Sequence, residues 1–134
     1  MKITDIIAKT PVLEIPAHNG ICYQGVWHPI NPNLFSSVGS DGLLKLYDLN
    51  SPDKIIGNYP VHDGEVISCD FNKYEEQIVT GSTDKTLKVW VISSLFKKDL
   101  RMMAQPIGIL AGHRYPVKKL RCSPHDPNIV GSVS

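Results

Sequence analysis

Cysteine is scarce in this chain. The 134 residues include three, an odd number, widely separated and without a CxxC pair, which argues against a disulfide framework or a zinc knuckle. Charge of one sign is missing too: 14 Lys and Arg stand against 13 Asp and Glu, a net +1 with no basic block. Chains that neutralise phosphates carry a basic patch or stripe, so no nucleic-acid partner is expected. No apolar run approaches the roughly 18 residues of a membrane span, and the first residues lack a signal-peptide apolar core. Neither membrane insertion nor export is expected. A nucleophile elbow and an oxyanion loop are also absent from the sequence.

What the chain has is repetition. Residues 62–90 read HDGEVISCDFNKYEEQIVTGSTDKTLKVW: a His, an apolar strand pattern, a polar turn, a second strand, the turn STDK and a third strand ending in Trp. The same order occurs in HNGICYQGVWHPINPNLFSSVGSDGLLKLYD at 18–48 and in HRYPVKKLRCSPHDPNIVGSVS at 113–134. The steps between His18, His62 and His113 are 44 and 51 residues. Nine residues after each His stands Trp27, Phe71 or Cys122, and seven further on Leu34, Ile78 or Ile129. Six residues after Asp41 and Asp84 stand Tyr47 and Trp90. A period of about 40–45 residues built from short strands points to a β-propeller array. The three cysteines occupy slots held by Val66, Leu120 and Phe71 in sister copies, and read as small buried apolar side chains.

Taken in order, residues 1–5 read as the tail of a copy, with Met1 and Ile3 alternating with polar residues and Thr4 in the aromatic slot. Residues 11–15 form a short outer strand, with Pro tolerated at its start. Strands are predicted at 22–27, 34–38 and 43–47, with a weak fourth around Ile55 and Ile56. The second copy predicts strands near 66–71, 78–82 and 87–92. A long link, SSLFKKDLRMMAQ, then leads to a fourth strand at 106–110; Leu95, Phe96 and Leu100 allow one helical turn in what otherwise reads as a surface loop. The third copy supplies strands at 117–122 and 129–133. The expected fold is therefore all-β: two complete four-stranded blades, 16–58 and 59–110, flanked by half-blades at 1–15 and 111–134. Open strand edges of that kind invite association.

The pair GH at 112–113, the hydroxyl-x-x-x-Asp pattern and LKVW resemble the WD40 repeat family. By that resemblance a His, a Ser or Thr, the turn Asp and the third-strand aromatic form a hydrogen-bonded structural set. Position by position the sets are His62, Thr80, Asp84 and Trp90; His18, Ser37, Asp41 and Tyr47; and His113 with Ser132. Val91 stands where the family has the Asp of its WD dipeptide. A buried Asp is costly unless paired, and a His that donates to it while accepting from a hydroxyl satisfies several polar atoms together. The trio has the composition of a hydrolase triad, but it recurs in each copy, whereas an active site occurs once. No catalytic residue, metal or cofactor is expected.

A closer resemblance lies between the framework positions. DFNKY, SPHDPN and GSVS resemble the peroxin-7 family of receptors for type-2 peroxisomal targeting signals. The resemblance implies binding of cargo proteins that bear such a signal, together with a co-receptor and peroxisomal docking proteins. It also implies a cytoplasmic location with peroxisome association or matrix entry. The alternatives are another WD40 interaction scaffold, of the histone-binding or ubiquitin-ligase adaptor type, and a piece with no independent function. In a propeller the His-bearing loops and the Asp-bearing turns share one rim. The candidate peptide-binding residues on it are Asn19, Ile21, Asp63, Glu65, Thr83, Lys85, Arg114 and Tyr115. An amphipathic helix carrying basic residues needs carboxylates opposite it and an apolar groove, which singles out Asp63 and Glu65, with Ile21 and Tyr115 for apolar contact.

Overall fold

The structure is a computed structural model, and it describes residues 2–5, 7–51, 55–95 and 105–134. The strands are β1 (Lys2–Asp5), β2 (Thr10–Glu14), β3 (Cys22–Trp27), β4 (Leu34–Gly39), β5 (Leu43–Asp48), β6 (Ile55–Pro60), β7 (Val66–Asn72), β8 (Gln77–Ser82), β9 (Thr86–Val91), β10 (Gly108–Ala111), β11 (Lys119–Cys122) and β12 (Val130–Val133). One helical turn, α1 (Ile92–Leu95), follows β9. It lies earlier than the turn anticipated around Phe96 and Leu100, which fall outside the described residues.

All pairing is antiparallel. Four strands run β3-β4-β5-β6 in one sheet and β7-β8-β9-β10 in the next, with the pairs β1-β2 and β11-β12 as separate sheets. The outer strand β6 is longer than the two isoleucines suggested, because Asn58, Tyr59 and Pro60 also pair, with Lys45, Leu44 and Leu43. The inner strands of the two four-stranded sheets carry an irregularity at the same place. Tyr23 is the extra residue between Cys22 and Gln24, and Ile67 the extra one between Val66 and Ser68. Such a bulge re-aims one side chain without ending the strand.

Adjacent side chains on a strand point to opposite faces, so each sheet presents two apolar surfaces. The first core joins the two four-stranded sheets: Val38, Leu44 and Leu46 of one pack with Val66, Cys69, Phe71, Ile78 and Trp90 of the other. The second core uses the opposite face of the middle sheet, where Val79 and Leu87 meet Val117 and Leu120. Inner strands are also stitched through side chains. Ser68 Oγ accepts from the Leu120 amide at 3.1 Å and donates to Gln24 Oε1 at 2.8 Å, and Asp70 Oδ2 accepts from the Cys122 amide at 2.8 Å. The three inner strands are thereby held side by side.

Burial follows from this stacking and not from position within the repeat. Phe71 is 4% exposed while its counterpart Trp27 is 49% exposed. Cys69 is buried and Cys122 half-buried, but Cys22 is exposed, contrary to the expectation of a buried apolar slot. Its counterpart Val66 is fully buried because the first sheet covers it. On the outer face of β3, by contrast, a small cavity of about 170 Å³ separates Gly25, Val26 and Trp27 from Lys2 and Ile3.

The difference predicts unequal mutational costs. Phe71→Ala should destabilise by about 3 kcal/mol or more, the range for emptying a buried aromatic site. Trp27→Ala should cost less than half as much. Equal losses in denaturant unfolding would contradict the assignment of two filled inter-sheet cores.

Candidate functional site

The turns between paired strands alternate between the two ends of each sheet. One end carries the His-bearing loops and the β4–β5 and β8–β9 turns. In the first of these turns Gly42 adopts φ 77°, and a Cβ there would approach the His62 carbonyl oxygen at 2.8 Å. Lys85 holds the equivalent left-handed position at φ 72°, a conformation uncommon for a residue with a side chain.

Each turn aims an Asp at a His. His62 Nδ1 lies 2.8 Å from Asp84 Oδ2, and His62 Nε2 2.8 Å from Thr80 Oγ1. The Trp90 indole N–H donates to Thr80 Oγ1 at 3.0 Å. One proton order satisfies the whole chain: Trp90 to Thr80, Thr80 to His62 Nε2, and His62 Nδ1–H to Asp84. In the first sheet His18 bonds Asp41 and Ser37, each at 2.8 Å, and the Tyr47 hydroxyl lies 3.0 Å from Ser37 Oγ. Tyr47 thus fills the donor role of the indole. His113 Nε2 lies 2.7 Å from Ser132 Oγ.

Burial raises Asp84, but the Thr86 hydroxyl at 2.6 Å, His62 and the Thr86 amide outweigh it and hold the carboxyl below its ordinary value. At Asp41, burial is similarly overcome by His18 and the amides of Leu43 and Asn19. Burial, helped by the Lys88 charge, holds His62 below its ordinary value despite the raising effect of Asp84. Both directions describe a neutral imidazole donating to a charged carboxylate. Thr80 and Ser37 are fully buried, and their oxygens already face the Trp90 indole and the Tyr47 hydroxyl, so neither is placed to attack a substrate.

Around this frame the candidate rim residues divide. Asn19, Asp63, Lys85 and Arg114 are exposed, as are Ile21 at 58% and Tyr115 at 68%. Backbone bonds gather their loops: Ser40 N–H to the Ile21 carbonyl at 2.9 Å, Thr83 N–H to the Glu65 carbonyl at 3.0 Å, and Val117 N–H to the Ser82 carbonyl at 3.0 Å. Two of the eight already hold a partner within the chain. Thr83 Oγ1 accepts from the Glu65 amide at 3.0 Å. The Glu65 carboxylate accepts from the Tyr23 hydroxyl at 3.0 Å, across the junction of the two sheets. Tyr23 itself escaped sequence reasoning because Ile67 and Lys118 hold its position in the sister copies. Its bulge carries the phenol toward Glu65, and that bond to the carboxylate raises its pKa.

Residues 9–48 and 53–91 match the family model described as WD domain, G-beta repeat. The chain belongs to the WD40 repeat family. It is 29% identical over 143 aligned residues to the Peroxisomal targeting signal 2 receptor of Saccharomyces cerevisiae, covering 96% of this chain and 38% of that protein. Proteins of the same name from Komagataella phaffii and Komagataella pastoris are each 30% identical over 112 residues, covering 82% of this chain and 30% of theirs. The chain therefore spans about a third of the length of these relatives. As a WD40 chain it departs from the WD dipeptide at Val91, a half-buried strand-end residue that leaves the Trp90 bond to Thr80 intact.

Two outcomes follow from the framework geometry. Asp84→Ala strands the His62 ring nitrogen and should cost about 1–3 kcal/mol in urea unfolding, the penalty for an unsatisfied buried polar group. Acid should also destabilise the fold. His62 binds its proton less readily folded than unfolded, so stability is full above its ordinary value, about 6.5, and falls as pH drops toward the folded value. His28, also depressed by burial, adds to the same window, and the depressed Asp41 and Asp84 extend the loss through the carboxylate range. His62→Gln should flatten the part of the loss that begins as pH falls below the ordinary histidine value; a slope unchanged by that substitution would contradict a neutral His62.

Proposed function

We propose that this chain is a non-catalytic, peptide-binding part of a receptor for type-2 peroxisomal targeting signals. The observation that carries the reading is the similarity to proteins of that name across most of the chain, on a WD40 scaffold. Local chemistry supports it: the residues with hydrolase-triad composition are consumed in repeated structural bonds. What the rim offers a ligand is a surface. Asp63 and Glu65 present negative charge beside Ile21, Tyr23 and Tyr115, a combination suited to a helix with basic and apolar residues on one face. In this reading the partners are cargo proteins bearing the signal, a co-receptor and peroxisomal docking proteins, met in the cytoplasm and at the peroxisome.

A chimaera tests the reading. This chain replaces the matching segment of the Saccharomyces cerevisiae receptor in cells lacking their own, and import of a reporter with a type-2 signal is followed. Import should be restored, and the purified chimaera should bind the signal peptide. Reversing Asp63 and Glu65 to Lys should weaken peptide affinity by about fivefold, since rim charges contribute modestly, with only a small fall in melting from loss of the exposed Tyr23–Glu65 bond. Failure of the unreversed chimaera to import the reporter despite normal melting would overturn the function. Normal affinity in the double reversal would move the site off this rim.

A further inference from the structure

The opposite rim carries the β3–β4 and β7–β8 turns and the chain leaving β5 and β9. Between the two four-stranded sheets it holds a groove of about 610 Å³. Leu34, Ile55, Ile56 and Ile92 give it an apolar floor, and Asp48 from one sheet and Glu76 from the other give it two carboxylates. Among its described lining residues there is no Lys or Arg. The walls are fixed. His28 Nδ1 accepts from the amides of Ile30 and Asn31 at 3.1 and 2.9 Å, and its ring packs edge-on against Phe71 across the junction at 4.9 Å. The Glu76 carbonyl accepts from the Ile92 amide at 2.8 Å, and Asp48 Oδ1 accepts from the Asn50 amide at 2.9 Å.

We propose that this groove is a second docking site, for a partner segment in which an Arg or Lys is flanked by apolar side chains. The volume lies within the range of ligand pockets, which combine apolar lining with a few placed polar groups. Charge selects the sign of the occupant, because the two carboxylates, with no Lys or Arg among the described lining residues, attract a positive group. Their origin on different sheets selects a segment that lies across the junction, with its apolar side chains on the isoleucines and its cation between the carboxylates. Nothing in this assignment depends on the other rim, and the two surfaces are separable by mutation.

The test uses the intact chain and two fluorescent, end-capped hexapeptides, one with a central Arg between leucines and one with citrulline in its place. Anisotropy should show the Arg peptide binding about three- to fivefold tighter than the citrulline peptide, the scale of partly exposed ion pairs. Glu76→Gln, alone and with Asp48→Asn, should remove that preference. The Asp48→Asn side chain keeps a carbonyl oxygen for the Asn50 amide, and Glu76 is exposed, so melting should not change. Raising the salt concentration should narrow the preference in the unaltered chain. The Asp63 and Glu65 reversals should leave the preference intact. Equal affinity for both peptides, no binding of either, or a preference that survives Glu76→Gln with Asp48→Asn would overturn the proposal. So would loss of the preference in the Asp63 and Glu65 reversals alone.

Discussion

The bond between His62 and Asp84 organises more of this molecule than any other single contact. A carboxylate that loses water must find donors, and here the donor comes from a loop 22 residues away in sequence. Fixing the ring nitrogen that faces Asp84 fixes the tautomer, and so makes the other nitrogen an acceptor. Thr80 must then donate to it, which leaves the threonine oxygen open to the Trp90 indole. One proton order thereby couples a loop, a turn and two strands, and each strand involved also contributes to a core. The first sheet reaches the same end with different atoms, since Tyr47 offers an O–H where Trp90 offers an N–H. What the fold keeps from one copy to the next is the direction of donation, with the chemical group free to change.

That coupling explains why so much was legible from sequence alone. The offsets between His, hydroxyl, Asp and aromatic are fixed by strand length and turn size, and those are local properties. The strands of both complete copies were accordingly readable, as were the two full sets of bonded side chains. Burial was less readable because it is not local. Cys22 and Val66 share a slot, yet only Val66 has a sheet packed over it. Neither could the inner-strand bulge be read, since Tyr23 and Ile67 have nothing chemical in common. Spacing leaves Glu65 and Thr83 free on the rim for the same reason: their partners are set by how loops meet, and no offset within one copy records it.

The middle sheet shows what stacking contributes energetically. Its strands bury side chains on both faces, with Ile78 and Trp90 on one and Val79 and Leu87 on the other. Neither face is a core by itself, because a single sheet cannot cover its own side chains. Repeat proteins gain stability from nearest-neighbour interfaces for this reason. The stitching through Ser68, Gln24 and Asp70 adds direction to that apolar contact. Hydrophobic faces would tolerate sliding, whereas a hydroxyl that accepts from one neighbouring strand and donates to another fixes the relative height of all three.

Rigid stacking has a consequence for binding. A ligand that spans two sheets meets a surface whose parts are already held in register, so it loses less in ordering them than it would on a flexible surface. Both rims meet this condition, by different means. On one, the loops are tied down by part-buried His–Asp bonds. On the other, His28 clamps its own turn and leans on Phe71, so the groove wall of the first sheet is seated on the core of the second. The difference lies in what each rim leaves exposed. The His-bearing rim mixes both signs of charge with large apolar side chains, through Asp63, Lys85, Arg114, Ile21 and Tyr115. In the proposed peptide-binding role, a mixed surface of that kind would discriminate by pattern. The opposite groove is lined by two carboxylates and several isoleucines, so in the proposed docking mode it selects by charge and by the apolar side chains on either side of the cation.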